Sequence, residues 1–225
     1  MADVHYPGGT GAAAGYLAEP RGDGPAAGVI VIQEWWGLDE HIREVTRRFA
    51  SEGFVALAPD LYHGQVADQP EAAMALSRGL AVEAGTSDVL AAIAYLKSLP
   101  RVQPKKVGVI GFCMGGGYTL EAAIRSEDVA AAAPFYGGRT GQLIDQVGRI
   151  QAPLLAVFGA EDQSIPLEVV DRFRAALHAA GKRADVRLYP GAGHAFLNDQ
   201  RPSYRAEQAA DAWAAAVALF KECLI

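Results

Sequence analysis

Short apolar runs alternate along the chain with segments of helical period. Ala26 to Gln33 (AAGVIVIQ) has the pattern of a buried strand, and Asp39 to Glu52 follows with Ile42, Val45 and Phe49 at spacings of three and four. Phe54 to Ala58 (FVALA) predicts the next strand, closed by Pro59-Asp60. Residues 69 to 98 are predicted helical in two pieces broken near Gly85, with Thr86-Ser87-Asp88 as the N-cap of the second. Lys106 to Gly111, Val129 to Tyr136, Pro153 to Gly159 and Ala184 to Tyr189 predict further strands, the last of them near a sheet edge. Gly115 to Arg125, Leu167 to Ala180 and Ala206 to Phe220 predict helices between and after them, Gly181 standing where a C′ glycine is expected. Strands apolar on both faces and separated by helices predict a single α/β domain with a mostly parallel central sheet and helices on both faces. The segment up to Leu17 fits an antiparallel hairpin added at one edge.

Composition narrows the class. With 225 residues, half of them hydrophobic, the chain can bury one sizeable core. Twenty-six acidic against 20 basic residues give a net charge of −6, so no basic field invites nucleic acid or an anionic membrane. Two cysteines are no disulfide scaffold, and no apolar run reaches the roughly 18–20 residues of a membrane span. The opening Met1 to Pro7 has neither a basic nor an apolar signal-peptide region, which leads to the expectation of a cytoplasmic protein.

Val107 to Gly117 (VGVIGFCMGGG) is a strand, a Gly111-Phe112-Cys113-Met114-Gly115 turn and a helix. This is the G-x-S-x-G nucleophile elbow with cysteine at its apex. The glycines let the chain turn sharply, and the helix that follows directs its first N–H groups toward the sulfur. An elbow predicts an acid and then a histidine on later strand ends. Asp162 lies in the loop after Pro153–Gly159, with Glu161 as its less favoured competitor, and His194 lies in the loop after Ala184–Tyr189. Together they outline nucleophile, tautomer-fixing acid and general base. No metal site and no cofactor motif is read.

Gly111 to Gly116, with Gln33-Glu34-Trp35-Trp36-Gly37, Ala58 to Tyr62 and Gly193 to Phe196, resembles the dienelactone hydrolase (carboxymethylenebutenolidase) family of the α/β-hydrolase superfamily. The resemblance implies a hydrolase of small lactones or esters that works through a thioester on Cys113. It also implies that Glu34 helps to activate that cysteine and that the backbone N–H groups of Trp35 and Met114 form the oxyanion hole. Family members that act on dienelactone hold its carboxylate with arginines, one shortly after the histidine. Here His194 is followed by no arginine before Arg201, and Arg78 is the upstream candidate, which sets dienelactone itself apart from hydrolysis in general. Trp36, Tyr62, His63, Tyr136, Asn198 and Tyr204 are the candidate substrate contacts. A thioesterase or general carboxylesterase keeps the same residues, whereas a non-hydrolytic thiol sensor has no need of Asp162. The expected partner is a small ester or lactone, and the expected assembly a monomer or weak homodimer.

Overall fold

A computed structural model describes residues 1–9 and 11–225. Its eight strands are β1 (Ala2–Pro7), β2 (Ala12–Ala18), β3 (Ala26–Ile32), β4 (Val55–Pro59), β5 (Val102–Phe112), β6 (Val129–Phe135), β7 (Leu154–Gly159) and β8 (Ala184–Tyr189). They form one sheet in the order β1-β2-β4-β3-β5-β6-β7-β8. β1 and β2 are the antiparallel hairpin foreseen at one edge, and β8 closes the other. From β4 to β8 all neighbours are parallel.

The described residues form seven α-helices: α1 (Glu40–Ser51), α2 (Pro70–Gly79), α3 (Val82–Ser98), α4 (Met114–Arg125), α5 (Thr140–Leu143), α6 (Leu167–Ala179) and α7 (Ala206–Leu224). Phe49 of α1 meets Trp213 and Phe220 of α7, which places these two on one face. α3, α4 and α6 cover the other face, α4 reaching α6 through the short α5. The buried residues of β3, β4, β5, β6 and β7 make one continuous core between the layers. No single helix among the described residues is long and apolar enough to cross a membrane.

The helical stretch after residue 69 breaks at Leu80-Ala81, not near Gly85. Gly85 lies inside α3 because a Cβ there would sit 2.5 Å from the Tyr118 ring of α4; the glycine permits close helix packing and does not end a helix. Thr86 and Asp88 are correspondingly buried within α3, whose N-cap is Ala81 with no side-chain bond. The 140–149 region, unassigned from sequence, folds as α5 and a 3₁₀ turn over Ile144–Arg149.

Chain order places the site. From β3 the chain moves outward to β4, then returns to β5 on the opposite side of β3. Such a reversal opens a crevice at the strands' C-terminal ends, where α/β sheets bind ligands. β3 ends at Ile32, beside Gly111 of β5, and β5 ends at Phe112, beside Phe135 of β6.

Candidate active site

Cys113 stands between β5 and α4 with φ 54° and ψ −112°, a conformation that costs a non-glycine residue of order 1–3 kcal/mol. The surrounding contacts hold it there. Its N–H donates to Phe135 O at 3.0 Å, and its carbonyl accepts from Gly116 and Gly138, each at 3.1 Å. The elbow glycines are required by close approach: a Cβ on Gly111 would lie 2.2 Å from Gly115 O, and one on Gly115 would lie 2.5 Å from the carbonyl oxygens of Ile32 and Gln33. Met114 is the first residue of α4, so its N–H has no acceptor within the helix.

Asp162 follows β7 and is buried. Its Oδ1 accepts the N–H of Ser164 (2.7 Å) and of Ile165 (3.2 Å), and its Oδ2 lies 2.7 Å from His194 Nδ1. This bond fixes the orientation of the ring, with Nδ1 turned to Asp162. Burial depresses the imidazolium, but the hydrogen bonds to Asp162 and Cys113 outweigh it and lift His194 to about 10. Glu161 is exposed and plays no part in this pairing.

Glu34 follows β3 and is 1% exposed, so it is no solvated loop acid. Burial raises its carboxyl to about 7, although a hydrogen bond from Asn198 Nδ2 to Oε2 at 2.7 Å favours the charged form. Its Oε1 has no hydrogen-bond partner. Trp35, next in the chain, makes no backbone N–H bond among those found in the turns and loops of the described residues.

Cys113 opens onto a cavity of about 260 Å³. Trp35 and Met114 line it beside Cys113, and Ser77, Leu80, Val82, Tyr118, Gly138 and Arg139 complete it. Arg139 pairs with the buried Glu121 at 2.9 Å while its Nη1 has no partner.

The expected substrate contacts are dispersed. Trp36 is buried in a small cluster with Ala67 and Ala73, under the Arg201 guanidinium at 3.8 Å, and does not line this cavity. Tyr62 and His63 line a neighbouring cavity. Tyr136, fully buried at φ 38°, packs its ring on His194 (5.2 Å) and Phe196 (5.7 Å). Asn198 is buried against Glu34, and Tyr204 is exposed. Arg78 is exposed on α2 and lines neither cavity. Ser77, Leu80, Val82, Tyr118 and Arg139 escaped the sequence reading. Arg139 alone carried a usable signal, a cation three residues after the aromatic end of a strand at the predicted ligand edge.

The sequence profile of the dienelactone hydrolase family matches residues 13–224. A Synechocystis protein provisionally named carboxymethylenebutenolidase is 41% identical over 224 residues, covering 92% of this chain and 91% of that protein. A Klebsiella pneumoniae crystal structure, provisionally titled a dienelactone hydrolase, superposes with a TM-score of 0.88 at 32% identity, covering 99% of this chain and all of that one. A dienelactone hydrolase-like promiscuous phosphotriesterase from metagenomic libraries gives a TM-score of 0.89 at 29% identity, covering all of this chain and 98% of its own.

Proposed function

For a chain that belongs to the dienelactone hydrolase family, we propose a cysteine-dependent mechanism acting on small esters and lactones, with Cys113 as nucleophile, His194 as base and Asp162 as its orienting acid. The observation that carries this reading is the 2.7 Å bond between Asp162 and His194, on the loops after β7 and β8, at the same sheet edge where β5 ends in the strained elbow that bears Cys113.

His194, held at about 10, keeps the proton of the Cys113–His194 pair while the sulfur attacks the substrate carbonyl. The developing oxyanion is met by the N–H groups of Met114 and Trp35, donors fixed before the reaction and therefore free of reorganisation cost. Collapse breaks the ester C–O bond, and His194 returns its proton to the leaving oxygen. In a lactone that oxygen stays tethered to the acyl group. Water, deprotonated by His194, then attacks the thioester, and its collapse releases the acid and restores the thiol. Asp162 keeps the imidazole in the tautomer both halves need and stabilises the imidazolium formed in each. Glu34, held near neutrality by burial, adds a second acid–base group.

Turnover of p-nitrophenyl acetate and of simple lactones by wild type and Cys113→Ala tests this. Wild-type hydrolysis that falls by at least a thousandfold in the variant is expected, and a variant that keeps its activity overturns the covalent route.

A further inference from the structure

Tyr62 and His63 lie outside the Cys113 cavity yet line a second one of about 250 Å³, together with Leu61, Gln65, Ala75, Leu76, Gly79 and Leu80. Leu80 lines both cavities. It stands at the corner where α2 meets α3 at 85°, half-buried, its N–H bonded to Leu76 O. The wall between the cavities continues through Met114, whose sulfur receives the Tyr62 hydroxyl at 3.3 Å and the Ser77 hydroxyl at 3.7 Å. Tyr62 thus faces one chamber while holding a side chain that lines the other. Half of the residues lining the second chamber are aliphatic: Leu61, Ala75, Leu76 and Leu80.

Direction follows from the chemistry. His194 must protonate the leaving oxygen, so the leaving group lies on the His194 side of Cys113. Among the described residues, neither His194 nor its neighbours Tyr136 and Phe196 line the Cys113 cavity. That cavity runs the other way, toward α2 and α3, which leaves it to the acyl group.

We propose that the two cavities are one acyl-binding cleft in two chambers, and that Leu80 is the partition that sets how long an apolar acyl chain the enzyme accepts. The inference rests on the hydrolytic reading of Cys113. Acyl groups short enough to end at Leu80 fill the first chamber only, and longer unbranched chains gain the second where Leu80 yields. Each methylene that reaches it is worth about fourfold in binding.

The test is kcat/KM across p-nitrophenyl esters from acetate to octanoate, read as the octanoate-to-acetate ratio. Leu80→Ala is expected to raise this ratio at least tenfold, and Leu80→Phe to lower it. Ala75→Trp, which fills the second chamber from the exposed flank of α2, should reverse the gain when added to Leu80→Ala. Acetate esters of lengthening alcohols form the other arm and should show no dependence on residue 80. A ratio insensitive to all three variants overturns the two-chamber cleft, and a dependence seen only in the alcohol arm overturns the acyl assignment. Acetate turnover by wild type reports the hydrolytic reading separately; its absence removes both.

Discussion

Asp162 engages both of its oxygens, one with the Ser164 and Ile165 amides and the other with His194. Asparagine would keep the shape but present either a second donor to Nδ1–H or the wrong tautomer of the ring, so Asp162→Asn should lower kcat/KM by about 10³–10⁴. Glu161→Gln should leave it within a factor of two, because that side chain is exposed. Parallel kinetics of the two variants decide between the neighbouring acids. Glu34 carries a cost of another kind. Burial holds its carboxyl at about 7, above its ordinary 4.5, so the folded protein binds this proton more tightly than the unfolded chain. The penalty is absent below about pH 4.5, grows as pH rises toward 7 and is complete above it. Glu34→Gln should therefore stabilise the fold by about 2–3 kcal/mol at pH 8, several degrees in Tm, with the gain vanishing by pH 4. Thermal melts across that range check it. Slower turnover in the same variant would show that the buried charge serves the reaction at the expense of stability.

At the scale of elements, glycine was the residue whose meaning depended most on context. The elbow glycines could be read from the sequence because the strand before and the helix after leave one sharp turn between them. Gly85 could not, because its reason is the Tyr118 ring on another helix, a contact no local pattern announces. Gly85→Ala should therefore destabilise the protein by about 1–3 kcal/mol, although alanine favours helix by about 1 kcal/mol. Combined with Tyr118→Ala the same change should become neutral or stabilising, and a double-mutant cycle by denaturant unfolding measures the difference. The α2–α3 corner was misplaced for the same reason, and with it went Ser77, Leu80 and Val82 of the cavity wall. Asn198 shows the converse. It was expected on the substrate, but the loop after His194 brings it inward to a carboxylate 164 residues away in the chain.

At the scale of the molecule, alternating strands and helices predicted the parallel sheet, the edge hairpin and the edge position of β8. Asp162 and His194 then meet after β7 and β8, at the edge where β5 delivers Cys113, because parallel strands all finish at one edge of the sheet. Asp162 and His194 could be paired in advance for that reason, whereas pocket walls built by helix corners and loops were not legible. The central claim is that acyl transfer passes through the Cys113 sulfur. Intact-mass and peptide analysis of enzyme quenched within its first turnovers of p-nitrophenyl acetate, whose leaving group makes acylation fast, tests it most directly. The account predicts one acetyl group on the peptide bearing Cys113, labile to hydroxylamine, and none on Cys223. Turnover without acetylation at Cys113, or an acetyl group carried by another residue in competent enzyme, would contradict it.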